Sequence, residues 1–162
     1  MTIAIGDTLP TGTFSTLDEN GPENIDATSI FKGRKVVLFG LPGAFTGQCS
    51  TSHVPSFMRT ADAFREKGID EIVCLSVNDP FVMSAWDKAT GAGEKGVTML
   101  ADPAGDFTQA IGMAFTAPAV GFINRSKRYS ALIEDGVVKL LNLEENTGAC
   151  SISEGETLLE QI

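Results

Sequence analysis

The stretch Lys35-Val-Val-Leu-Phe-Gly-Leu-Pro-Gly-Ala-Phe-Thr-Gly-Gln-Cys49 decides how this chain folds. Its first part, through Leu41, is a near-continuous apolar run with β-branched and aromatic residues, the pattern of a strand covered on both faces. Pro42 and Gly43 break that strand. Beyond them Val54, Phe57, Met58, Ala61 and Phe64 recur at helical spacing up to Lys67-Gly68, where glycine can close a helix. A central strand therefore feeds a turn and then a helix, with Cys49 at the junction.

The same grammar repeats outward. Ile72–Val77 is a second buried-strand run, and Asp79-Pro80 supplies an N-cap and a first-turn proline for a helix burying Val82, Ala85, Trp86 and Ala89. Val97–Ala101 predicts a short strand, and Asp102-Pro103 opens a brief helix through Phe107, Ala110 and Ile111. From Arg128 to Leu143 two alternating runs flank Asp135-Gly136, a strong hairpin signal. Ser153-x-x-Glu156 predicts a capping box before a terminal helix holding Leu158, Leu159 and Ile162. The expectation is a single α/β domain over residues 1–162, a mixed sheet flanked by helices, with an N-terminal extension.

Bulk properties narrow the function. The 162 residues carry a net charge of −9, which disfavours nucleic acid and anionic membranes as partners. No run approaches the ~18 apolar residues of a membrane span, and the N-terminus has no secretory pattern, so a cytoplasmic location is expected. The 3 cysteines, Cys49, Cys74 and Cys150, form no C-x-x-C and no disulfide framework. A lone histidine, His53, rules out a multi-histidine metal site. If the cysteines matter, they matter as thiols, with no cofactor implied.

Cys49 follows a strand end and precedes a helix, where free backbone N–H groups and the positive end of the helix dipole favour an anionic sulfur. A buried structural thiol is the competing reading. Pro42-Gly-Ala-Phe-Thr46-Gly-Gln-Cys49 fits the P-x-x-x-T-x-x-C pattern of peroxiredoxins, and the surrounding VVLFGLPGAFTGQCSTSHVPSF resembles their type II, or atypical two-cysteine, branch. CLSVNDPFV, LADPAGDF and RSKRYSALIEDGVVK extend the resemblance, in order, along nearly the whole chain. Gly47-Gln48 departs from the family, which often carries Pro-Thr there.

The resemblance implies a thioredoxin-like fold and reduction of hydrogen peroxide and alkyl hydroperoxides through a Cys49 thiolate and a sulfenic acid. It also implies supporting roles for Pro42, Thr46 and Arg128. Thr46 would hydrogen-bond near the sulfur and the peroxide, although a helix N-cap is its plain alternative. Pro42 would shield the sulfur from water, or simply make a turn. Arg128, the position before Tyr129, is chosen over Arg125 as the cation facing sulfur and peroxide, against the reading of a solvated edge charge.

In the atypical branch a resolving cysteine lies in the C-terminal loop, which here holds Thr147-Gly-Ala-Cys150. Cys150 is therefore the candidate to attack the oxidised Cys49. Cys74, inside an apolar strand, reads as a small hydrophobe. His53 reads as a buried helix histidine bonded locally. Thioredoxin, glutaredoxin and glutathione all remain open as reductant. A homodimer is a family-based expectation, with Trp86 and the Phe107–Phe122 region as apolar contacts. Two other classes compete: a dithiol-disulfide oxidoreductase, which wants two cysteines within one turn, and a non-enzymatic thiol redox sensor, which would oxidise without turnover.

Overall fold

A computed structural model describes all residues from Met1 to Ile162. β3 is an interior strand of a seven-stranded sheet, and the strands up to it are β1 (Thr13–Asp18), β2 (Gly21–Asp26) and β3 (Lys35–Gly40). After β3 come α2 (Val54–Glu66), β4 (Glu71–Ser76), α3 (Pro80–Thr90) and β5 (Val97–Ala101), with the short α1 (Ala27–Phe31) lying between β2 and β3. Then follow α4 (Asp106–Ala110), β6 (Ala114–Ala117), β7 (Phe122–Ser126), β8 (Tyr129–Glu134), β9 (Val137–Leu143) and α5 (Gly155–Glu160).

The sheet order is β2-β1-β5-β4-β3-β8-β9, while β6 and β7 pair separately. β4 runs parallel to β3 and β5, whereas β8 joins β3 antiparallel. The sheet is mixed because helical crossovers link β3, β4 and β5, while a tight turn links β8 to β9. At that turn Asp135 and Gly136 both have positive φ, 48° and 76°, the backbone of a type I′ hairpin.

Both faces of β3 are buried, and its side chains divide alternately between two cores. Val37, Phe39 and Leu41 pack with Phe57, Phe64 and Trp86 of α2 and α3. Val36 and Leu38 pack with Phe14, Phe31 and Phe107 on the opposite face. Gly40 has a specific cause: the Tyr129 ring across the ladder occupies the space that a Cβ at position 40 would need.

Several expectations are corrected. The N-terminal segment is not a bare extension, because β1 and β2 form a hairpin on the sheet edge. Asp102 does not begin α4; the helix starts at Asp106, and the Asp102 carboxylate reaches forward to accept from Thr108 N and Oγ1, each at 2.8 Å. The Ser153-Glu156 capping box does not form. Ser153 Oγ donates to Glu144 and Glu156 pairs with Arg59, so Ser56 Oγ on α2 accepts the Gly155 N–H at 2.9 Å instead. Trp86 and Phe107 are core residues, at 0% and 2% exposure, and cannot serve as dimer contacts; Val120, within the Phe107–Phe122 region, is exposed, as are Met1, Ile5, Phe45, Phe81, Ile123 and Ile152. No helix is long and apolar enough to cross a membrane.

Candidate active site

The loop after β3 is tightly held. Ala44 N donates to Asn78 Oδ1 at 3.0 Å, and Ser76 Oγ donates to the same oxygen at 2.6 Å, which pins the loop to the end of β4. Phe45 sits at φ 61°, a left-handed conformation that a bulky L-residue adopts only when its surroundings impose it. Thr46 Oγ1 donates to Gly43 O at 2.6 Å. Its one proton is thereby engaged, so its oxygen faces any ligand as an acceptor.

Cys49 opens a π-helical turn, Cys49–His53, which leads into α2. π-turns carry one extra residue per turn and are less stable than α-helix, and they recur at functional sites. The sulfur is 1% exposed. Its hydrogen-bond donor is Arg128 Nη2 at 3.2 Å, not a backbone N–H at a helix start. Charge support for the sulfur thus comes from across the sheet, because Arg128 immediately precedes β8, the strand paired with β3.

Arg128 is itself 2% exposed, so its guanidinium must be satisfied on every side. Nε donates to Thr147 O at 3.2 Å and Nη1 lies 3.1 Å from His53 Nδ1. His53 Nε2 lies 3.1 Å from Ser153 O, a pure acceptor, so Nε2 carries the proton and Nδ1 accepts from Arg128. Burial, then the Arg128 charge, lowers the His53 pKa to about 3. A neutral histidine is the form that fits. Its partners are 75 and 100 residues away in the chain, so the local bonding expected for it is replaced by long-range contacts.

Pro42 is buried at the strand end, and its carbonyl accepts from Arg125 Nη1 at 3.2 Å. Arg125 also lies over the Phe122 ring, 5.7 Å from its centroid. The structure thus brings Cys49, Arg128 and His53 into one bonded chain, with Thr46 and Pro42 on the adjoining loop. Sequence reasoning missed the link from His53 to Arg128 and the Arg125 support of Pro42. The only signal available for the first was that the single histidine shares a helix face with Cys49.

The other cysteines differ sharply. Cys74 lies opposite Phe39 in the sheet, fully buried, and burial holds its thiol well above the usual range. Cys150 is half-buried on the loop between β9 and α5, where burial outweighs the attraction of Arg128 and pushes its thiol up to about 11. All 3 cysteines are free.

An arrangement of a buried sulfur, a guanidinium donor beside it and an acceptor hydroxyl on the next loop suits attack on a small, polarisable O–O bond. Comparison with known proteins agrees. Residues 4–159 match the Redoxin family. Peroxiredoxin-2D of Arabidopsis thaliana is 44% identical over 99% of this chain and 98% of its own length. The chloroplastic peroxiredoxin-2E-2 of Oryza sativa subsp. japonica is also 44% identical, over 99% of this chain and 73% of its own. Reduced Prx3 of Vibrio vulnificus, solved in complex with H2O2, superposes with a TM-score of 0.92 at 41% identity, covering 99% of both chains. Peroxiredoxin 5 of Alvinella pompejana superposes with a TM-score of 0.84 at 33% identity, covering 98% of this chain and 96% of that one. The mixed sheet with its flanking helices is therefore the thioredoxin-like peroxiredoxin fold, and the chain belongs to the peroxiredoxins, in their type II branch, as a thiol peroxidase.

Proposed function

We propose that Cys49 is the attacking thiolate of this peroxidase and that Arg128, Thr46 and Pro42 build its peroxide pocket within residues 1–162 acting as a single domain. The observation that carries the reading is the 3.2 Å bond from Arg128 Nη2 to Cys49 Sγ inside a buried site. The sulfur attacks one peroxide oxygen in line, the O–O bond breaks, and the departing alkoxide or hydroxide takes up a proton. Cys49 becomes a sulfenic acid and the substrate leaves as an alcohol or water.

Each neighbour has a task. Arg128 supplies N–H donors to the charge that moves from sulfur to oxygen, without a proton of its own to lose. Thr46 accepts from the peroxide O–H and so orients the molecule. Pro42 covers the sulfur, and Arg125 holds its carbonyl in place. Hydrogen peroxide and alkyl hydroperoxides both fit this chemistry.

The second half of the cycle follows from burial. A protein reductant cannot reach a sulfur that is 1% exposed, whereas Cys150 sits half-buried on a loop. Cys150 condenses with the Cys49 sulfenic acid, forming an S–S bond and releasing water. A thioredoxin-type dithiol, or glutaredoxin with glutathione, then reduces the disulfide by exchange. A cytoplasmic setting suits that supply of thiols. A homodimer is supported by the exposed Phe45, Phe81, Val120 and Ile123.

Mass spectrometry after stoichiometric peroxide tests the assignment. Cys49→Ser should consume no peroxide and show no oxidised cysteine, while its circular dichroism and melting stay native-like. Retained turnover in that variant rejects Cys49 as the nucleophile.

A further inference from the structure

The loop that carries Cys150 is closed by a buried carboxylate that the peroxide chemistry does not use. Glu144 directly follows β9, and its N–H donates to Arg128 O at 3.0 Å, fixing its backbone beside the active site. The residue is 6% exposed. No Lys or Arg pairs with it; the ion pairs of the structure lie elsewhere. Its charge is held by the loop itself. Ser151 N donates at 2.6 Å, Ser153 N at 3.0 Å and Ser153 Oγ at 2.9 Å, all to Oε1, while Ser151 Oγ donates to Oε2 at 3.4 Å.

These bonds tie residues 144, 151 and 153 into a knot, and Cys150 lies inside it. On its other side the loop is tethered at Thr147 O by Arg128 Nε. A buried carboxylate cannot be left with empty acceptors, so the knot opens only when water replaces the serine donors. Burial works to raise the Glu144 pKa, but the four hydrogen bonds outweigh it and hold the group below its usual range, so the carboxylate stays charged at neutral pH.

We infer that the Glu144 carboxylate is the latch of the Cys150 loop, keeping Cys150 away from Cys49 in the reduced enzyme and setting how often the loop opens for the resolving step. The inference rests on Cys150 as the resolving thiol. In that step the Cys150 sulfur attacks the Cys49 sulfenic sulfur, the S–S bond forms as the S–O bond breaks, and the hydroxide leaves with the thiol proton as water. The closed loop also holds Cys150 in its unreactive, protonated form, because burial is the main reason its thiol lies near 11. Opening therefore supplies reach and ionisation together.

Glu144→Gln tests this, since it keeps the shape and one acceptor oxygen but removes the charge. On the reduced protein, without peroxide, amide hydrogen exchange at Ser151 and Ser153 should rise by about tenfold or more, the scale of losing charge-assisted hydrogen bonds. With peroxide, conversion of sulfenic acid to the Cys49–Cys150 disulfide should accelerate several-fold in stopped-flow fluorescence of Trp86, whose Nε1 donates to Ser50 Oγ beside Cys49 at 3.0 Å. The preceding attack on peroxide should stay within about twofold. A Ser151→Ala, Ser153→Ala double variant, which removes only the hydroxyl donors, should move exchange and disulfide formation in the same direction by less.

Unchanged exchange, or raised exchange with unchanged or slower disulfide formation, overturns the latch. A native chain that never forms the Cys49–Cys150 bond overturns the resolving assignment and the latch's role with it. The exchange measurement, made without peroxide, tells these failures apart.

Discussion

Arg128 Nη2 donates to Cys49 Sγ at 3.2 Å, although the two residues are 79 positions apart in the chain: both enter the site from the same end of the β3–β8 ladder, where Gly40 pairs with Tyr129. One guanidinium also holds Thr147 O and His53, so it joins the nucleophile to the loop that carries the second thiol.

Arg128→Ala should lower kcat/KM for peroxide by about a hundredfold, the usual cost of one preorganised donor at a developing charge. Arg128→Lys should recover little, because an ammonium cannot bond Thr147, His53 and Cys49 at once. Arg125→Ala should cost about tenfold or less, because Arg125 acts only through the Pro42 carbonyl. Stopped-flow peroxide consumption ranks the three; equal losses at positions 125 and 128 would contradict the geometry.

Peptide mapping of the oxidised protein should find Cys49 bonded to Cys150 and Cys74 still reduced. Cys150→Ser should then leave a persistent sulfenic acid and slow thioredoxin-supported turnover. A Cys49–Cys74 peptide, or a Cys150→Ser enzyme with full thioredoxin-supported turnover, would assign resolution elsewhere.

His53 makes stability fall as the solution is acidified. The unfolded chain takes up a proton at the ordinary pKa of 6.5, whereas the folded chain does so only near 3, so the folded state loses ground throughout that window as pH falls. Between pH 7 and pH 5 the loss should be on the order of 2 kcal/mol, at about 1.4 kcal/mol per pH unit below the unfolded value. His53→Gln can still accept from Arg128 and donate to Ser153 O, but it does not titrate. Urea unfolding at both pH values should show most of this loss missing in the variant; an identical slope would mean that the histidine is charged in the native state.

Ser56→Ala should destabilise the chain by about 1 kcal/mol, as for the loss of an N-cap, because Ser56 Oγ is the partner of the Gly155 N–H at the start of α5. The loss should fall on α5 first and appear as faster amide exchange at its N-terminus. Protection equal to the native chain's would show that the bond is dispensable.

The elements legible in the sequence were those whose burial is strong. β3 and β4 have unbroken apolar runs, β5 has one interrupted only at Thr98, and Asp79-Pro80 and Asp135-Gly136 mark local geometry that each pair of residues enforces by itself. The β1–β2 hairpin was hidden because β2 is a polar, mostly exposed edge with the sequence GPENID, and only Phe14 of β1 is fully covered. The capping box failed for another reason: Ser153 meets a stronger acceptor in Glu144, a competition between distant residues that local spacing cannot show.

In the site, Cys49 was legible from its place after β3, whereas Arg128 was picked out by the family resemblance and not by residue patterning, which offered only a helix N-terminus. A helix N-terminus is a local feature, while the guanidinium comes through strand pairing. The Arg125 and His53 contacts depend on the same tertiary approach, and neither residue announces it in the sequence.

The placement of Cys74 opposite Phe39 gives the enzyme an internal gauge of its own integrity. A thiol reagent added to the native protein can reach Cys49 and Cys150 through local openings, but it meets Cys74 only when β4 leaves the centre of the sheet. The labelling rate at that one sulfur therefore counts global unfolding events in native buffer, without denaturant. Damage that loosens the peroxidase as a whole can thus be separated, cysteine by cysteine, from the small motions that drive its turnover.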